Sequence, residues 1–269
     1  MIYFKGSPLN FTQYPAGELH FRKEDNPQID SWCNPSTVTV QFEGSDDLVK
    51  LALLDDFLVQ NNIPYDLLIP YFPSSRQDRV EEFESHSLRV YVNIIKQLNA
   101  NKIITLDPHS TVLEGMFEAG RLNTIPQEVL LYESTKNSLA NKDLVLVSPD
   151  KGSTTKTKKC AKYLEQRNFN IKGILQADKV RDYHTGDITE TAVDFHTELN
   201  GPYTFLVVDD ICDGGRTFTE LAKKLNKLYS GKKDLILYVT HGLFTKGLEP
   251  LSNAGYSEIY TGFNYDTTK

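Results

Sequence analysis

Apolar and polar positions along this chain switch repeatedly between two periods. Short apolar runs occur at Tyr65 to Tyr71, Lys102 to Leu106, Asp143 to Val147, Ile171 to Ala177, Phe205 to Val208, Leu235 to Thr240 and Glu258 to Thr261. Phe205 to Val208 is continuous rather than alternating, as in a strand buried on both faces of a parallel sheet, and Tyr65 to Tyr71 and Lys102 to Leu106 also read as buried strands. Between them, apolar residues recur at helical spacing, which predicts helices over Ser45 to Gln60, Ser87 to Leu98, about Thr111 to Ala119, Thr155 to Arg167, Phe218 onward through Leu225, and about Gly247 to Asn253. Ser45 suits the first N-cap. Up to Phe42 the pattern reads as short strands broken by turns at Asn26-Pro27 and Asn34-Pro35. Asp182 to Asp194 has no clean period and reads as a flexible loop or short hairpin. Strands alternating with helices predict an α/β fold with mainly parallel sheets. The alternation runs twice, with a division near Thr124 to Glu133.

Composition narrows the picture. At 269 residues the chain can bury a sizeable core as one or two domains, and 39% hydrophobic with 24% charged residues is ordinary for a globular protein. A net charge of −7 argues against nucleic acid held by bulk electrostatics, and makes any polyphosphate site depend on local cations or Mg²⁺. Cys33, Cys160 and Cys212 lack metal-ligand spacing, which fits a reducing compartment. No apolar run is long enough to span a bilayer, and the N-terminus does not read as a signal peptide, so no membrane partner and a cytoplasmic location are expected.

Polar chemistry gathers where the predicted strands end, which is where ligands sit in open α/β sheets. After Phe205 to Val208 come Asp209 and Asp210, then Asp213, Gly214, Gly215, Arg216 and Thr217, then a helical pattern. A strand, a glycine turn and a helix start together form an anion site, and two carboxylates beside it suit ribose hydroxyls or hydrated Mg²⁺. The same residues also suit a plain strand-to-helix turn, with glycine for its backbone and Asp213 as N-cap. Other strand ends carry Arg76, Gln77, Asp78 and Arg79; Asp107 and His109; Asp150; Lys179 and Arg181; and His241. Arginines suit phosphates and aromatic bases. In an extended segment Lys179 and Arg181 point the same way and can meet one phosphate chain, or they form merely a charged loop. His109 equally suits a structural hydrogen bond, and Asp150 an N-cap.

VVDDICDGGRT resembles the phosphoribosyl-pyrophosphate loop of phosphoribosyltransferases and ribose-phosphate pyrophosphokinases. PYFPSSRQDRV resembles the PYF-x-x-ARQDR segment of the latter, DPHS their D-L-H-A, SPDKG their S-P-D-x-G, and KVR their catalytic K-x-R. By these motifs, in this order from about Gly17 to Gly247, the chain is identified as a short, divergent member of the ribose-phosphate pyrophosphokinase family. The resemblance implies two tandem phosphoribosyltransferase-like domains: residues 1–128 holding ATP and residues 129–269 holding ribose phosphate. Arg76, Gln77 and Arg79 would grip the nucleotide, with Tyr14 and Glu18 toward adenine from a segment similar to F-S-D-G-E. His109 and Asp150 would serve Mg²⁺, and His109 the ATP phosphates. Asp209 and Asp210 would hold the ribose hydroxyls, and Asp213, Gly214, Gly215, Arg216 and Thr217 the 5-phosphate. Lys179 and Arg181 would neutralise the transferring diphosphate. Thr240 to Phe244 is similar to the family's T-H-P/G segment, with no assigned role.

The implied reaction moves the β,γ-diphosphate of ATP to the anomeric hydroxyl of ribose 5-phosphate, leaving AMP. Arg216 stands where the family has a small residue. A long cation there would reach a second phosphate, making ADP-ribose a second, NAD-related acceptor, or it points into solvent. Two further classes stay open: a phosphoribosyltransferase, and a non-catalytic regulatory homologue. The family's usual leading segment is absent, which counts against its hexamer; a homodimer or higher homo-oligomer is expected.

Overall fold

The computed structural model describes residues 1–29, 36–181, 188–194, 201–229 and 234–263, and the side chains of these except at 178–181 and 188–194. The chain divides into two compact units, Met1–Ile125 and Pro126–Lys269.

The first unit runs β1 (Ile2–Phe4), β2 (Ser7–Pro8), β3 (Thr12–Gln13), β4 (Leu19–His20), β5 (Ser36–Val40), α1 (Asp46–Gln60), β6 (Tyr65–Ile69), α2 (Ser87–Ile95), β7 (Ile103–Leu106), α3 (Val112–Gly115) and β8 (Leu122–Ile125). Its main sheet has the order β2-β1-β5-β6-β7-β8, parallel from β5 to β8. The burial of Val38, Val40, Leu67, Ile69 and Ile103 against Leu51, Leu54, Leu58, Leu88 and Val92 closes the sheet onto its helices. The Ser45 side chain makes no cap bond. Instead the buried Asp47 carboxylate accepts from the Glu43 amide at 2.8 Å.

The second unit runs α4 (Gln127–Leu139), β9 (Asp143–Ser148), α5 (Thr154–Glu165), β10 (Asn170–Arg181), β11 (Ile188–Asp194), β12 (Thr204–Cys212), α6 (Arg216–Leu228), β13 (Asp234–Gly242), α7 (Glu249–Ala254) and β14 (Glu258–Phe263). The sheet order is β11-β10-β9-β12-β13-β14, parallel except for β11. Both faces are covered. Val145, Val147, Phe205 and Val207 pack with Phe218, Leu221 and Leu225 of α6. Leu144, Leu146, Leu206 and Val208 pack with Leu131 of α4 and Leu164 of α5. This double burial is why the central strands β9 and β12 read as largely apolar runs.

The α/β class with mainly parallel sheets is therefore what the molecule shows. Of the segment read as a loop or short hairpin, Ile188–Asp194 pairs antiparallel with β10, as the hairpin reading expects. Other elements differ from the sequence expectation. The helix at Thr111 to Ala119 shrinks to a single turn. Helix α4 occupies the expected interdomain division.

Candidate functional site

In the second sheet the chain starts at β9, moves outward to β10, then returns to β12 on the other side. Such a reversal leaves a crevice beyond the carboxyl ends of the two central strands, where ligands of doubly wound sheets sit. β9 ends at Ser148 and leads into Asp150; β12 leads into the 213–217 turn.

Asp150 precedes α5. Its Oδ1 accepts from the Ser153 amide at 3.0 Å, so the carboxylate braces the helix start, while Ser153 holds the N-cap position. Gln176 of β10 lies alongside, 2.9 Å from Thr154 Oγ1.

Asp209 and Asp210 do not follow the strand, as the sequence suggested; they belong to it. β12 continues to Cys212 because β13 is equally long and pairs with it through Ile211–His241 and Cys212–Gly242. Neighbouring side chains of a strand leave on opposite faces. Asp210 faces α5, where Lys156 Nζ lies 3.7 Å from its Oδ2. Asp209 accepts from the Asp210 amide at 3.0 Å. It also lies close enough to the buried Cys212 to act on it: burial, then Asp209 and Asp213, push that thiol up to about 12.

The turn itself depends on Gly215, whose φ of +76° places it in the left-handed region at the N-cap of α6. The Phe218 and Thr219 amides both bond Gly215 O at 3.0 Å. The amides of Arg216 and Thr217 precede any intrahelical partner and head the helix dipole. Arg216 is exposed and Thr217 half-buried. Asp213 is not the N-cap. Its Oδ1 accepts from Thr245 Oγ1 at 2.8 Å and its carbonyl from the Thr245 amide at 3.2 Å. The Leu243 and Phe244 amides bond Cys212 O. The segment after β13, without an assigned role in the sequence, thus props the turn, and His241 beneath it is buried.

Lys179 and Arg181 lie on β10, in register with Thr191 and Ile188, with a register shift between Val180 and Arg181. Their side chains lie outside the described residues.

In the first unit, β6 and β7 are parallel neighbours, so the segments leaving them are neighbours too. Phe72 and Ser75 are buried under the first segment, while Arg76, Gln77 and Arg79 are exposed. His109 is exposed on the second, beyond a buried Asp107 with a positive φ of 37°. Ser110 Oγ donates to Asp78 Oδ2 at 2.5 Å and joins the two. Tyr14 and Glu18 stand apart on the β3–β4 hairpin, which packs on α1 through the Phe21–Phe57 ring contact at 5.1 Å. There Tyr14 bonds Glu18 through the backbone and accepts from Arg22 Nη2 at 2.8 Å.

Lys156, the residue that sequence reasoning misses, lies in a lysine-rich helix that resembles a solvated face. Its only signal is its place three residues beyond Ser153. Among the described residues no three His, Cys, Asp or Glu side chains gather into a metal cage, and no helix is long and apolar enough to cross a membrane.

No family model matches the chain. A protein of Streptococcus pyogenes serotype M3, provisionally named ribose-phosphate pyrophosphokinase 2, is 28% identical over 257 residues, 93% of this chain and 73% of the relative. A ribose-phosphate pyrophosphokinase of Rhizobium meliloti is 28% identical over 78% of this chain and 64% of its own length. The crystal structure of phosphoribosylpyrophosphate synthetase from Mycobacterium smegmatis shares the fold, with a TM-score of 0.73 over 94% of this chain and 78% of that one, at 22% identity.

Proposed function

We propose that the chain is a member of the ribose-phosphate pyrophosphokinase family, as its similarity to relatives of that name supports, and that it transfers the β,γ-diphosphate of ATP to the anomeric hydroxyl of ribose 5-phosphate. The observation that carries this reading is the composition of the β9–β12 crevice. Asp150 follows β9, Asp209 and Asp210 lie near the carboxyl end of β12, and the glycine turn that heads α6 follows the same strand. Within the first unit, an exposed arginine loop and His109 lie on the segments that follow two neighbouring strands.

The turn from Asp213 to Thr217 takes the 5-phosphate on the amides of Arg216 and Thr217. Asp209 accepts a ribose hydroxyl, and Asp210, 3.7 Å from Lys156 Nζ, orients the sugar for attack. Arg76, Gln77 and Arg79 hold the nucleotide, with Tyr14 and Glu18 at adenine. Lys179 and Arg181 neutralise charge developing on the transferred diphosphate. The oxygen donors fit Mg²⁺, which takes one or two carboxylates and completes its shell with phosphates and water. Asp150 is the carboxylate we assign to it. His109 is a poor direct ligand for so hard an ion and serves the ATP phosphates. Bound Mg²⁺ would supply charge neutralisation between ATP and acceptor. We place the protein in the cytoplasm as a homodimer or higher homo-oligomer, which light scattering tests.

The acceptor ADP-ribose is favoured by one observation. Arg216 is exposed at the turn, and Lys246 runs alongside it: a Cβ at Gly214 would stand 3.6 Å from Lys246 Cε. Two cations there suit a second phosphate. The test incubates the protein with ATP, Mg²⁺ and each acceptor and measures AMP. Release with ribose 5-phosphate is expected; release with ADP-ribose alone reverses the preference, and none with either refutes the diphosphokinase reading. Lys179→Ala should lower turnover by orders of magnitude, and near-normal AMP release would remove Lys179 from the chemistry.

A further inference from the structure

We propose that Ser110 is a positioning residue for the nucleotide loop, acting through Asp78. The inference rests on the ATP-binding role proposed for residues 76–79. That loop is fixed at one end by burial: Phe72 is 2% exposed and Ser75 4%. The Ser75 amide bonds Phe72 O at 3.2 Å and the Gln77 amide bonds Ser74 O at 2.9 Å. At the other end the fixed point is the Asp78 carboxylate, which accepts from Ser110 Oγ. The three side chains assigned to the nucleotide, Arg76, Gln77 and Arg79, are exposed around these two points. Ser110 is itself oriented, because its Oγ accepts from the Val112 amide at 3.3 Å. Its proton is thereby aimed at Asp78. A hydroxyl–carboxylate bond is among the stronger neutral-donor bonds, and here it spans two segments 32 residues apart in sequence.

Asp78 does not touch the nucleotide in this scheme. It holds its neighbours, so that ATP meets arginines already in place rather than ordering them on arrival. His109, one residue before Ser110, is positioned by the same bond. One hydroxyl therefore sets the spacing between the nucleotide loop and the histidine assigned to its phosphates.

The test compares Ser110→Ala, Asp78→Ala, their double variant and Ser110→Thr with the wild type. Two quantities are read: KM for ATP against kcat, and backbone amide exchange across residues 72–80 without ligand. Each alanine variant should raise KM for ATP about five- to tenfold, with a smaller change in KM for the acceptor, and should speed exchange in that segment. The double variant should be no worse than either single one, because both remove the same bond. Ser110→Thr, which keeps the hydroxyl, should restore both readouts. Unchanged exchange, unchanged KM for ATP, or additive losses in the double variant would each overturn the inference. A wild type that never consumes ATP would instead overturn the diphosphokinase reading and this role with it, a result seen without any variant.

Discussion

Replacing Gly215 by alanine tests the turn at its most constrained point. Two costs add. At φ +76° an L-residue places its Cβ against the following carbonyl, at about 1–2 kcal/mol. The new Cβ would also lie 3.3 Å from Leu251 Cδ2, a side chain 1% exposed in the α6–α7 core. Moving Leu251 off its rotamer costs about 0.5–1.5 kcal/mol. The expected loss is therefore about 1.5–3.5 kcal/mol, or a Tm drop of roughly 3–14 °C for a chain of this size. Gly214→Ala is the internal control. Gly214 has no positive φ, and its added Cβ would find only ordinary contact with the flexible Lys246 side chain. Urea unfolding followed by circular dichroism should separate the two variants by at least about 1 kcal/mol. Because the strain lies beside the amides assigned to the 5-phosphate, Gly215→Ala should also raise KM for the sugar more than KM for ATP. Equal destabilisation by both variants would refute the backbone argument. A lost fold stability with an unchanged sugar KM would refute the assignment of the phosphate to this turn.

Lys156→Met should raise KM for the acceptor, because Asp210 would be left partly buried without its cation. At 3.7 Å the pair is worth about 1–4 kcal/mol across plausible dielectrics, and Lys156→Arg should recover most of the loss; acceptor kinetics identical in Met and wild-type proteins would remove Lys156 from the site. Asp47→Ala should destabilise the first unit by about 1–3 kcal/mol near neutral pH. Burial opposes the Asp47 charge, but the Glu43 amide, the N-terminal ammonium and Lys50 outweigh it and hold this carboxyl below its usual range. A lowered native pKa contributes stability above the unfolded value and loses it as pH falls through the native one. The gap between variant and wild type should thus close on acidification below about pH 4, and a gap independent of pH would contradict the assignment.

The alternation of strands and helices is legible because the central strands of the second sheet, β9, β12 and β13, are buried on both faces and are written largely as apolar runs. Helix α4 is not, because its buried stripe is Gln127, Leu131, Thr135 and Leu139, where two of four positions are polar. Both are satisfied, Thr135 Oγ1 donating to Leu131 O one turn back in the same helix at 2.7 Å and Gln127 Oε1 accepting from Cys160 Sγ of α5 at 3.6 Å. A pattern of apolar residues alone contains no trace of such partners. Strand β8 escapes for a related reason: Leu122–Ile125 is a short edge strand with no buried residue, and its pairing with β7 fixes it rather than its composition. The end of β12 is misplaced by sequence alone because charge reads as the end of a strand. A strand next to an equally long partner continues through two carboxylates when their faces open onto a crevice.

The same distinction divides the site. Residues that leave a strand end carry their position in the sequence, since the end of an apolar run marks the rim of the sheet. Arg76, His109 and Asp150 are therefore nameable from the pattern, and Asp209 is nameable from the end of its apolar run although β12 continues past it. Residues that reach the rim from another element are not. Helix α5 holds Lys156, Lys158, Lys159 and Lys162, and nothing local separates them. Only the packing of α5 over β12 brings Lys156, and with it a positive charge, to Asp210. Ser110 and Asp78 meet because β6 and β7 are neighbours, a fact of sheet order rather than of either segment. In an acidic protein with the proposed phosphate chemistry, these cross-element contacts decide where positive charge and rigidity are concentrated. They are consequently the positions where substitutions should separate binding of the sugar from binding of the nucleotide, Lys156 affecting the first and Ser110 the second.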